Sequence, residues 1–174
     1  MESDYEFGYG KEIEALHYAG VQYLVVGGAA MWFHRHPRTT DDLDIIPNLE
    51  DENLTKLVDV FRKLNYKPKL IHITLDDFKD PKKRAQWINE KYMKAFCLIN
   101  DTNKPATKVD LLISTPLNFK EAYNRRRIER LSSGVEVPVA SLEDMLVLKK
   151  HAGRAIDLPD ILVLEKFILR RKDD

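Results

Sequence analysis

Asp42 and Asp44 stand one residue apart in the segment RTTDDLDII, and Asp110 stands alone in the apolar run KVDLLIS. Alternate residues of a β-strand point to the same face, so a strand through residues 42–46 sets the first two carboxylates side by side. Like charges that close repel unless a cation joins them. The oxygen donors suit magnesium, or manganese, completed by water and substrate phosphates. An acid inside an otherwise apolar strand needs a partner or a metal. If the two strands are neighbours, Asp42, Asp44 and Asp110 converge into a set that can hold two divalent ions about 3.5–4 Å apart for in-line phosphoryl transfer. One ion would carry a triphosphate and the other would activate an acceptor hydroxyl. These three residues are the catalytic and metal-ligating candidates. A solvated strand edge or a helix cap would explain them without chemistry, and Asp41 is a surplus acid expected to face the other way.

Gly27 and Gly28 follow the β-branched run VQYLVV and precede AAMWFH. Glycines between a strand and a helix let a ligand approach the backbone, and the amides that open the helix attract an anion. They serve a tight turn equally well. Arg38 and Thr40, with Thr39, precede the acid pair and could meet phosphate or base, although a threonine hydroxyl there could equally cap a turn. Lys149 and Arg154 flank a helix end. Arg154 could fork onto a phosphate or onto a carboxylate such as Asp157. His34 and His36 read as surface histidines rather than ligands. The basic runs KKR (82–84) and RRR (125–127) read as solvated helix faces, with nucleic-acid contact the alternative. Trp32 and Trp87 read as packing residues and Cys97 as a buried small hydrophobe.

These residues need elements to position them. KEIEALHYAG reads as an amphipathic helix closed by Gly20, and residues 21–26 as a buried strand. After the glycines a short helix runs until Pro37 bars it. DLDII is the second strand. LEDENLTKLVDVFRKLN is a helix with Leu54, Leu57, Val58 and Phe61 on one side, acids early and bases late. YKPKLIHIT reads as a strand, and LDDFKDPKKRAQWINEKY as a turn and a polar helical piece. MKAFCLI and KVDLLIS are two strands of a hairpin around NDTNKPAT. PLNFKEAYNRRRIERL reads as a helical piece with a basic end, and SSGVEVPVA as a short strand. Ser141 opens a helix that Gly153 ends, and a last helix carries Pro159 in its first turn. The expected fold class is α/β (α+β): a small mixed sheet flanked by helices, with C-terminal helices over about residues 141–174 and residues 1–174 forming a single domain.

Composition sets the outer limits. Hydrophobic residues make up 44% and charged residues 32% of 174, and the net charge is zero. No global basic field favours bulk nucleic-acid binding, so any such binding would use local patches. One cysteine excludes an intrachain disulfide and a cysteine zinc cluster. No stretch approaches the roughly 18 apolar residues of a membrane span, and the polar start is unlike a signal peptide. The expected location is cytoplasmic.

In that order along the chain, Gly-Gly opening a helix, RTTDDLDI, VDLL and KKHAGRAIDLPDILVLEKF resemble the minimal nucleotidyltransferases of the DNA polymerase β-like superfamily, most nearly the abortive-infection toxin-like group. The resemblance runs from about Tyr23 to Phe167. It implies an NTP bound at Gly27 and Gly28, metal ligation by Asp42, Asp44 and Asp110, and a C-terminal Lys–Gly-Arg–Asp pattern at Lys149, Gly153, Arg154 and Asp157. It also implies transfer of NMP to a hydroxyl of RNA (particularly tRNA), a protein or a small molecule, with a cognate toxin or antitoxin as partner. Relatives often carry a glycine shortly before the Pro-Arg-x-Thr segment, where this chain has HRHPRTT, so loop shape and acceptor choice stay open. Two other readings compete: a degenerate nucleotidyltransferase-fold binding or antitoxin-like module, and a metal-dependent phosphohydrolase or nuclease.

Overall fold

In the computed structural model, which describes residues 8–36 and 39–173, the chain builds a seven-stranded mixed sheet with helices packed around it. Helix α1 (Gly10–Tyr18) leads into strand β1 (Tyr23–Val26), which passes without a loop into α2 (Gly27–Phe33). Strand β2 (Leu43–Pro47), helix α3 (Asp51–Lys63) and a two-residue strand β3 (Lys67–Pro68) follow. Helix α4 (Pro81–Lys91), strands β4 (Ala95–Asn100) and β5 (Thr107–Leu112), helix α5 (Phe119–Asn124) and strands β6 (Arg127–Arg130) and β7 (Glu136–Val139) come next. Helices α6 (Leu142–Ala152) and α7 (Leu158–Asp173) complete the described chain. The strand order is β3-β4-β5-β2-β1-β7-β6, with β2–β5 and β1–β7 parallel and the other neighbours antiparallel.

Sequence pattern explains most of these elements. All four residues of β1 are buried, as a strand covered on both faces requires. In α3, Leu54, Leu57, Val58 and Phe61 are buried at helical spacing, each contributing roughly 1.5–3 kcal/mol by leaving water. Asp51 and Glu52 open this helix and Arg62 and Lys63 close it, complementing its dipole. Ser141 caps α6 by accepting from the Asp144 amide, and Gly153 ends it at φ +62°. The β4–β5 hairpin alternates: Phe96, Leu98, Val109 and Leu111 enter the core, while Cys97 and Asp110 lie on the half-open face.

Two expectations are corrected. The segment 66–74 contributes only Lys67–Pro68 to the sheet. Pro68 has no N–H for a ladder, β3 is an edge strand, and His72 at φ +70° turns the backbone away. Leu70 and Ile71 are left exposed. The segment 116–131 is not one helical piece: α5 stops at Asn124, and residues 127–130 form β6 in a hairpin with β7. Gly134 at φ +85° makes that turn, and Arg130 pairs across it with Glu136 at 2.6 Å.

Candidate active site

The β2–β5 register sets Asp44 directly opposite Asp110. Asp42 lies two residues before Asp44 and shares its face. One carboxylate oxygen from each of the three acids lies within 4.8 Å of the others. The topology therefore brings together residues that are 66 positions apart in sequence through the parallel pairing of two strands. Burial, reinforced by the charges of Asp42 and Asp110, pushes the Asp44 carboxyl up to about 7; Arg154 and Lys149 pull it back in part. Close packing of three acids is thus costly in the ion-free chain, and a divalent cation would relieve the repulsion. The hard oxygen set, the spacing and the repulsion all fit such an ion.

Gly27 sits at φ +63°, and a β-carbon there would overlap the Asp44 carboxylate, 2.7 Å from its Cγ. The missing side chain of Gly27 makes room for the acid cluster. Gly28 is buried in the first turn of α2. The N-cap residue of that helix, Val26, makes no side-chain cap hydrogen bond. Thr40 caps the turn before β2, its hydroxyl donating to the Asp42 carbonyl at 3.0 Å and lying 3.4 Å from Asp42 Oδ1. Arg38 lies outside the described residues. Asp41, as expected, is exposed and apart from the cluster.

The C-terminal motif faces the same acids. Arg154 donates to the Asp157 carboxylate through Nε at 2.7 Å and through a terminal nitrogen at 3.1 Å. Buried Lys149 reaches Asp157 at 3.1 Å and Asp160 at 2.7 Å. Burial alone would raise the Asp157 carboxyl; hydrogen bonds from Arg154 and Lys149 outweigh it and hold it below the usual carboxylate range. Two-thirds of the Arg154 side chain stays exposed. Its guanidinium is held charged first by Asp157 and then by Asp44 and Asp42. The network thus secures one edge of the guanidinium and leaves the side chain open near the cluster.

Two residues, Tyr9 and Asp160, escaped the sequence reading, and Cys97 is corrected. Tyr9, buried, donates to the Asp41 carbonyl at 2.8 Å and accepts from the Lys108 amide at 3.3 Å, bridging the segments that lead into Asp42 and Asp110. No periodicity marks it. Asp160, three residues after Asp157 in DLPDILVL, carried a helical-spacing signal. Cys97 is half-buried opposite Asp110, not a core residue. Burial, and then its hydrogen bond to Asp110, push its thiol up to about 12. The alternation of AFCLIN, with Phe96 and Leu98 inward, could have placed it. His34 is buried and bonded to the Ala140 carbonyl, not at the surface. Trp87 stacks on Phe96 in the core. The basic runs are largely engaged: Arg84 is buried on the Phe78 carbonyl, and Arg125 grips Asp144.

With this geometry in view, the chain belongs to the family described as "nucleotidyltransferase of unknown function (DUF6036)", whose model matches residues 10–170. Its fold is similar to that of a Thermotoga maritima protein provisionally named a nucleotidyltransferase, over 92% of this chain and 89% of that one, at 15% identity and a TM-score of 0.49. No functionally curated protein matches the sequence. Among the described residues no helix is long and apolar enough to cross a membrane.

Proposed function

We propose that the chain is a divalent-cation-dependent nucleotidyltransferase that moves NMP from an NTP onto a hydroxyl group and releases pyrophosphate. The observation that carries this reading is the convergence of Asp42, Asp44 and Asp110, with Gly27 cleared to admit the Asp44 carboxylate. Magnesium or manganese, when bound, would neutralise the acids and the polyphosphate together. The protein's own residues do the rest by positioning and electrostatics. Asp42, Asp44 and Asp110 would hold the ions, and Thr40, bonded to the Asp42 carbonyl, would keep Asp42 in place. The exposed Arg154, steadied by Asp157, offers its fork to phosphate, with Lys149 behind it. Gly27 and Gly28 would flank the path of the polyphosphate, and the sequence offers Arg38 as a further phosphate contact. The acceptor oxygen forms a bond to the α-phosphorus, the bond from that phosphorus to the pyrophosphate oxygen breaks, and the hydroxyl proton passes to a carboxylate of the cluster.

The acceptor classes consistent with such a site are RNA (including tRNA), a protein hydroxyl and a small molecule. A cytoplasmic toxin–antitoxin role belongs to the same proposal through the abortive-infection resemblance. The test is incubation with each labelled NTP, magnesium or manganese, and total RNA or protein. Label is expected in one acceptor fraction, and none when Asp42 and Asp44 are both replaced by asparagine. Label retained by that double variant, or absent with the unaltered chain, would sink the assignment. Phosphodiester cleavage without transfer would favour the hydrolase reading.

A further inference from the structure

Along the same end of the sheet as the acids lies a cleft of about 330 Å³ in which Arg35, Arg127, Arg170 and Arg171 surround Leu142 and Phe167. Its place follows from the register. Asp44 pairs with Val26 on β1, Val25 pairs with Val139 on β7, and Val139 pairs with Arg127 on β6. The backbones of Asp44 and Arg127 therefore lie almost in one row at one end of the sheet, with the Arg127 side chain on the face opposite Asp44, so a path between them rounds that end. Three strand spacings from β2 to β6 amount to about 14 Å. Helix α2 connects the two places. Gly27 at its start abuts Asp44, and Arg35, just past its end, lines the cleft, after about 10 Å of helix. His34, also on the cleft wall, fixes that end: its Nε2 must donate to the Ala140 carbonyl, 2.7 Å away, because a carbonyl only accepts.

The charge of the cleft is available. Arg127 pairs with Glu129 and Arg171 with Glu143, but both arginines are about half exposed, and such pairs contribute little and exchange readily. Arg35 and Arg170 are exposed and have no ion-pair partner among the described residues. Four guanidinium groups against two carboxylates leave a local excess of positive charge in a chain whose net charge is zero. Guanidinium forks suit phosphate oxygens, and the partly buried Phe167 offers an apolar ring against which a base can lie.

We propose that this cleft grips the phosphodiester backbone of a single-stranded nucleic acid, whose terminal hydroxyl follows α2 round the end of the sheet to the three-aspartate cluster. Presentation of the hydroxyl rests on the nucleotidyltransferase reading; the grip on the backbone does not. Among the acceptors, the cleft favours a polynucleotide and repels a cationic small molecule.

Anisotropy of short labelled single-stranded RNA and DNA oligomers, titrated with the full chain at several salt concentrations, tests it. The double variant Arg35→Ala, Arg170→Ala removes two exposed, unpaired side chains and should leave the melting temperature unchanged. It is expected to weaken oligomer binding on the order of tenfold or more. The salt dependence should become shallower by roughly 0.7 for each phosphate that the variant no longer neutralises. The RNA and DNA arms identify which polymer the cleft takes. Equal affinity and equal salt slope for the double variant would overturn the proposal. So would binding to anionic phosphatidylglycerol vesicles, or to an acidic peptide, with none to either oligomer. Transfer of label to the oligomer at the unaltered rate by the double variant would sink the cleft and leave the transferase. Cleft-dependent oligomer binding without transfer of any NTP would sink the transferase and leave the grip.

Discussion

At the scale of single residues, Asp44 is where the fold works against itself. Its carboxyl titrates at about 7 in the folded chain against an ordinary value of 3.8. The folded state therefore binds this proton more tightly than the unfolded state does, and stability falls as pH rises from about 4 to about 7. Ion-free protein with chelator should melt lower at pH 8 than at pH 5. Asp44→Asn should remove most of that difference and be the more stable protein at pH 8, by as much as about 4 kcal/mol. Thermal melts of both proteins across the range check it; parallel pH curves would show that Asp44 carries no such cost. Gly27 supports the same carboxylate from the other side. A Gly27→Ala β-carbon must displace Asp44 at a positive φ, so the variant should lose on the order of 1–3 kcal/mol. A denaturant melt checks it, and unchanged stability would remove the place given to Gly27.

At the scale of elements, the site depends on ties that a linear reading does not reach. The acid pair, its strand, the partner strand with Asp110 and the C-terminal helix limits were legible because each leaves a local mark: period-2 alternation, a lone acid in an apolar run, Ser141 and Gly153 at helix ends. Tyr9 left none, because its hydroxyl joins the Asp41 carbonyl to the Lys108 amide only once β2 and β5 are side by side. The β6 strand was hidden for a related reason. RRRIER has helix-forming residues, and only pairing with β7 makes it extended. Tyr9→Phe keeps the ring and removes both bonds, so it should cost roughly 1–3 kcal/mol and weaken manganese binding in a titration, as β2 and β5 lose their tie ahead of Asp42 and Asp110. Unchanged stability and affinity would make Tyr9 a packing residue only. The Lys149–Asp157–Asp160 network predicts a larger effect. Asp157→Asn leaves a buried lysine with one carboxylate fewer and releases Arg154, a loss on the order of 3–5 kcal/mol in a denaturant melt.

For the whole molecule, the cluster, the Arg154 edge and the surrounding sheet should respond to a divalent ion as one unit. An ion that binds only the folded chain stabilises it by RT ln(1 + [L]/Kd), about 2.7 kcal/mol at a hundredfold excess over Kd. Because the ion and the Asp44 proton compete for one carboxylate, that gain depends on pH. Near pH 8 Asp44 is mostly ionised and the ion meets three charged acids. Near pH 5.5 it must first displace a proton held with an affinity near pH 7. The rise in melting temperature on adding manganese or magnesium should therefore be clearly larger at pH 8 than at pH 5.5. It should vanish at both in Asp42→Asn with Asp44→Asn. Calcium-free buffers with a fixed ionic strength keep screening of the surface ion pairs from imitating the effect. The two trends also oppose each other usefully. Without the ion, raising the pH destabilises the chain; with it, raising the pH strengthens binding, so the curves with and without ion should diverge with pH. Curves that stay parallel would mean that the ion binds elsewhere, and the three aspartates would lose their assignment as its ligands.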